Sequence, residues 1–202
     1  MLNRVTAVLL LSLTLITSGC GASPMKTPDI KQNPNPKMRY EITMTIDGAP
    51  GPFDAISGFV QYKVANDQCV PLTEGSGATL APEKSVPINL TRISDKVYKG
   101  TFYTDLLQDE DYYGRGVCHW AVVAATTALK VKAADLSPDI FLNDILAQKA
   151  VITYFADGGY QDARDGKDTF PTITGSLKKS DYLPESRTDI FTITLAARED
   201  FQ

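Results

Sequence analysis

The strongest constraint in this 202-residue chain is a two-residue period in its apolar side chains. Tyr40, Ile42, Met44 and Ile46 alternate with Glu41, Thr43, Thr45 and Asp47, and near the other end Phe191, Ile193 and Leu195 alternate with threonines. A helix cannot gather residues of that spacing onto one face. A strand can, because successive side chains point to opposite faces, so each segment predicts a half-buried strand. Further strand-like runs fall between them: Phe59 to Val64, Val86 to Leu90, Lys96 to Tyr103, Val117 to Lys132 (one bent strand or two) and Ala150 to Ala156. Turn chemistry such as Asp47-Gly48-Ala49-Pro50-Gly51-Pro52 separates them. Ser137-Pro138-Asp139 opens a short helix that runs through Leu146, with proline at its first position. Asp157 to Thr188 is polar and reads as a long functional loop. The pattern predicts an all-β antiparallel β-sandwich of immunoglobulin-like architecture, with one disulfide and at most one short helix. Trp120 follows the second cysteine of the folded part, whereas an immunoglobulin domain places its core tryptophan between its two, so only the architecture matches.

The net charge of -4 gives no electrostatic case for nucleic acid and slightly favours basic partners. Three cysteines occur. Cys69 and Cys118 form an even pair in the folded part, and in an exported chain such a pair is expected to be a disulfide.

Export is expected from the N-terminus. Arg4 precedes an apolar run, Ala7 to Ile16, that is too short to span a bilayer as a mature helix, so residues 1–19 read as a signal peptide. Ile16-Thr17-Ser18-Gly19-Cys20 resembles the lipobox of bacterial lipoproteins. That resemblance implies cleavage before Cys20, a diacylglycerol on its thiol and usually a further N-acyl chain. Gly21 in place of Asp implies the outer membrane, facing the periplasm, by similarity to enterobacterial lipoproteins. Residues 20–37 are polar and proline-rich, and read as a lipidated, flexible tether. A single domain is expected over 38–202.

The densest chemistry lies in Asp109-Glu110-Asp111-Tyr112-Tyr113-Gly114-Arg115-Gly116-Val117-Cys118-His119-Trp120, which contains the only histidine and the only tryptophan. Asp105, Asp109, Glu110 and Asp111 place four carboxylates beside a glycine-rich turn, the ligand type that calcium takes, although the spacing is not that of an EF-hand and solvated acids are the plainer reading. His119 is expected on the strand face opposite Cys118 and Trp120. An oxidised Cys118 could not serve it as a nucleophile, and a lone histidine with paired thiols makes no zinc site. Neither a Gly-x-Ser-x-Gly elbow nor a phosphate loop nor a dinucleotide fingerprint occurs, and the chain is not read as an enzyme. Tyr112 and Tyr113 offer contact area at low entropic cost, equally as recognition residues or as a hairpin folded over the sheet. Asp109, Glu110, Asp111, Arg115, and Tyr160 with Arg164 in the polar 157–188 stretch, complete the candidate partner-binding set.

Asp67-Gln68-Cys69-Val70-Pro71, followed by the 109–120 stretch, resembles small proteobacterial envelope lipoproteins over residues 38 to 130. Some of these are immunity partners of antibacterial effectors delivered by secretion systems. The resemblance implies a protein that binds and neutralises a secreted toxin, such as a phospholipase or cell-wall hydrolase, without a cofactor. Two other classes stand beside it: an accessory lipoprotein supporting assembly of a secretion or surface apparatus, and a calcium- or carbohydrate-binding module.

Overall fold

The structure is a computed structural model that describes residues 28–73, 75–167 and 171–201. The 1–19 leader, Cys20 and residues 21–27 lie outside the described residues, so the lipobox reading rests on sequence alone.

The chain forms an all-β antiparallel sandwich. The first sheet contains β1 (Arg39–Asp47), β4 (Thr91–Arg92), β5 (Val97–Tyr103), β9 (Val151–Ala156) and β10 (Ile190–Glu199), in the order β4-β5-β1-β10-β9. The second contains β2 (Ala55–Val64), β3 (Glu83–Ile88), β6 (Trp120–Val131) and β7 (Ala134–Leu136), in the order β3-β2-β6-β7, while β8 (Asp139–Phe141) also pairs with β6. The predicted period is what buries the core. In β1 Tyr40, Ile42, Met44 and Ile46 are buried, and across the ladder Met44 faces Leu195 while Ile46 faces Ile193 of β10. Val60, Tyr62 and Val64 of β2 supply the opposite wall with Val122, Leu129 and Val131 of β6. Tyr62 ties one sheet to the other, its hydroxyl donating to the Tyr103 carbonyl oxygen at 2.5 Å. Burial first, and the charge of Asp105 second, push that phenol well above its ordinary range.

The 117–132 run is one strand, not two. Gln61 faces Ala124 but Tyr62 faces Val122, so one residue of β6 is looped out and the register shifts there. That extra residue changes the phase, so Val122 and Ala125, three positions apart, both face the core. Gly100 marks a close approach in the other sheet, where an added Cβ would lie 2.6 Å from Ile88 Cγ2 and 3.0 Å from the Asn89 carbonyl oxygen.

The helices differ from expectation. Asp139, Ile140 and Phe141 are the β8 strand, and only Leu142–Leu146 is helical (α1). Bonding to β6 wins over the helical start at Pro138. A second helix, α2 (Asp157–Asp165), opens the stretch expected to be a loop, so the limit of one short helix is exceeded. Gly158 and Gly159 disguise α2 in the sequence, yet it buries Tyr160 and Ala163, three positions apart on one face. It stops at Gly166, whose φ of 71° lies in the left-handed region. The segment beyond also attaches to the sheets, through a Tyr154–Ser176 bridge to β9 and an Asp135–Thr172 bridge to β7.

The likeness to an immunoglobulin domain is confined to layering. The disulfide of this fold does not span the sandwich from sheet to sheet, as an antibody domain's does. It joins Cys69, in a 3-10 turn just past β2, to Cys118, just ahead of β6, and those two strands are neighbours in one sheet.

The folded region also begins before Met38. Ile30 packs on the core, Gln32 bridges Leu107, the Asn33 N–H donates to the Leu106 carbonyl oxygen at 2.8 Å, and the Gln108 N–H donates to that of Lys31 at 3.0 Å. Pro34 and Pro36 lack N–H donors, so this strap makes an isolated bridge in place of a continuous ladder.

Candidate binding cleft and its acidic rim

The loop from Thr104 to His119 connects β5 to β6 and holds most of the candidate residues. Its base is fixed by the Cys69–Cys118 bond, with Cα atoms 5.3 Å apart. Around the two sulfurs lies a small second core of Val64 and Val70, with Tyr112, Tyr113 and Trp120 against it. Asn66, a residue that sequence reasoning passed over, clamps both sides of Cys118. Its Oδ1 accepts the His119 N–H at 2.7 Å and its Nδ2 donates to the Val117 carbonyl oxygen at 2.8 Å. The available signal was an asparagine in the turn after a strand, close to a cysteine.

Each of the four carboxylates proposed for calcium has its own partners. Asp105 accepts the N–H groups of Lys37 and Met38, at 2.9 and 3.0 Å. Asp109 accepts the Trp120 N–H on Oδ1 at 2.9 Å, and its Oδ2 lies 2.7 Å from His119 Nδ1. Glu110 pairs with Lys31 at 2.7 Å. Asp111 accepts the Arg115 N–H at 2.9 Å, and the turn through Gly114 and Gly116, with φ of 69° and 101°, wraps further N–H groups around it. Desolvation pulls the Asp111 carboxyl upward, but the N–H groups of Arg115, Gly116, Tyr113 and Gly114 outweigh it and hold it below its ordinary range. The four carboxylates therefore do not converge, and among the described residues no group of three His, Cys, Asp or Glu is placed to hold a metal ion. These are loop-building contacts, made by each carboxylate with a different part of the chain.

The tyrosines resolve toward packing. Tyr112 donates its hydroxyl to the Gln108 carbonyl oxygen at 2.6 Å, and its ring meets Trp120 edge-on at 6.3 Å. Burial against the disulfide raises the Tyr113 phenol. The loop is exposed at its tip, through Arg115 and Val117 (45% exposure), and also at Asp109, Asp111 and His119.

Tyr160 and Arg164 do not belong with this loop. Tyr160 is 3% exposed and packs edge-on against Phe53 and Phe191, so it offers no contact area to a partner. Its hydroxyl donates to the Pro52 carbonyl oxygen at 2.6 Å. Arg164 lies over the Tyr160 ring, donates to the same carbonyl, and pairs with Asp54 at 2.7 Å. The two residues brace α2 against the turn that precedes β2, and are withdrawn as partner contacts.

His119 lies on the outer face, as alternation predicts, while Cys118 is fully buried and Trp120 half-buried. Beside the histidine opens a cleft of about 510 Å³ between the strap, the 104–109 segment, β6 and α1. Met38, Leu107, Trp120, Val122, Leu142 and Leu146 form its apolar walls, and Asp105 and Asp109 stand in its rim. Thr104 and Trp120 also line it, and their Oγ1 and Nε1 atoms are buried without a hydrogen-bond partner.

No protein-family model, curated protein or solved structure matches this chain.

The chemistry of the site is therefore argued from its residues. Asp109 fixes the His119 ring through Nδ1 while the imidazole side chain stays 60% exposed. The neighbouring sulfur is committed to Cys69 and cannot attack as a thiolate. What remains is a rigid acidic rim, an apolar cleft and an exposed loop tip, an arrangement suited to gripping another molecule.

Proposed function

We propose that this chain is a lipid-anchored envelope protein that binds a secreted antibacterial effector, of the phospholipase or cell-wall hydrolase type, and blocks it. The observation that carries the reading is the preparation of the 104–119 loop. Its tip is exposed, yet its base is stapled by a disulfide and its carboxylates are already fixed by N–H groups, His119 and Lys31. A loop ordered before contact loses little further freedom on binding, and that lowers the cost of a tight complex. The excess of acids over bases steers basic partners. A lipid on Cys20 would raise the local concentration of the inhibitor at the membrane, where such toxins act. Leu72 and Leu80, at 59% and 64% exposure, lie on the hairpin that follows Cys69 and add apolar contact area next to the disulfide.

The test uses the mature chain carrying Cys20→Ser, which keeps it free of lipid, mixed in excess with the product of the neighbouring gene and assayed for phospholipase and cell-wall hydrolase activity. Loss of hydrolysis and a stable complex on gel filtration are expected. Full hydrolytic activity in the presence of excess protein refutes the reading.

A further inference from the structure

We propose that the cleft beside Trp120 is a socket for one lysine or arginine side chain of the protein partner. The inference rests on the protein-binding reading above and adds the chemistry of its central contact. The cleft is lined by residues of two kinds. Leu142, Leu146 and Met38 give an apolar wall suited to the methylene stem of a long side chain. Asp105 and Asp109 also line the cleft; no lysine or arginine does, and the one basic side chain beside the pair is His119, 2.7 Å from Asp109 Oδ2. Each carboxylate oxygen of this pair carries one hydrogen-bond contact from the chain. An ionised carboxylate offers about four acceptor positions, so both groups keep capacity for a cationic donor. The Asp109 side chain is 46% exposed and reachable from solvent. Trp120 completes the site with an indole, the aromatic group that attracts a cation most strongly. At about 510 Å³ the cleft lies within the size range of pockets that enclose small ligands. A stem of methylenes ending in a guanidinium or ammonium group matches all of these features, whereas an acidic or purely apolar group leaves the remaining acceptor capacity of the two carboxylates unused.

Trp120 is the only tryptophan and lines the cleft, so all indole emission comes from that wall, which on its other side meets Tyr112 and the disulfide core. The Cys20→Ser chain is titrated at low salt with hexylguanidinium, and separately with hexanol and with guanidinium at equal concentrations. A saturable change in emission with hexylguanidinium only is expected. Asp109→Asn should weaken it by about fivefold, the upper range for an exposed ion pair. Leu146→Ala, at a wall residue 48% exposed and so harmless to folding, should weaken it and flatten the dependence on alkyl length. Equal responses to hexanol and hexylguanidinium, or unchanged binding in both variants, overturn the socket. The two proposals fail separately: capture of the hydrolase without any response to the probe removes the socket and leaves the inhibitor, and the reverse result removes the inhibitor and leaves the socket.

Discussion

Replacing both Cys69 and Cys118 by alanine should cost this fold about 4 kcal/mol, and should do so through the unfolded chain. The bond closes a segment with a sequence separation of 49. Chain-entropy reasoning for a loop of that length gives about 14 cal/mol/K, or about 4 kcal/mol at 25 °C. For a domain of this size that corresponds to a fall of about 8–16 °C in Tm. The folded state itself should change little. Val64 still faces Trp120 in the β2–β6 ladder, and Asn66 still bonds on both sides of position 118. Urea denaturation followed by circular dichroism measures the loss, and the m-value separates the two causes. A denatured chain freed from its cross-link expands and exposes more surface, so m should rise. A loss below about 1 kcal/mol, or a fall in m with weakened strand signal, would refute the assignment of the bond's effect to the denatured ensemble.

Asn66→Ala removes the donor and the acceptor that flank Cys118, and should cost about 2 kcal/mol in urea unfolding while speeding amide exchange at His119. Gly100→Ala places a Cβ 2.6 Å from Ile88 Cγ2 and close to backbone, so a loss of about 1–3 kcal/mol is expected by thermal denaturation. Acid should destabilise the fold in a defined window. Asp54 is held low by the Arg164 guanidinium and then by the Lys132 N–H, Glu83 by Lys63, and Asp111 by its turn, whose N–H groups overcome desolvation. Folded pKa values below the unfolded ones contribute stability that is present in full above the unfolded carboxylate range and is lost as pH falls through the folded values. Stability should thus be level from about pH 6 to 7 and fall below about pH 4, and Asp54→Asn should make that decline shallower in a pH series of urea melts.

What was legible in the sequence is what depends on near neighbours. Tyr40 to Ile46 and Phe191 to Leu195 declare their strands because burial on one face demands alternation, and both form as expected. The cysteine pair was legible because redox compartment and parity suffice to join two sulfurs. The bonding of the acids was not. Asp105 meets Lys37 and Met38, Glu110 meets Lys31, and Arg164 meets Asp54, in each case across a long stretch of chain. A run of carboxylates looks alike whether it gathers a cation or separately holds a strap, a histidine and a turn. Tyr160 misled for a related reason: polar neighbours in sequence made it look exposed, while α2 turns it inward onto Phe53 and Phe191.

The pairing of β1 with β10 in the middle of the first sheet has a consequence for the order of folding. β1 and β10 lie far apart along the chain, so that sheet cannot zip closed until Ile190–Glu199 is available to pair. Losing β10 would strip β1 and β9 of their shared neighbour at once, opening a new sticky edge along β1 and leaving β9, already at the end of the sheet, without its ladder.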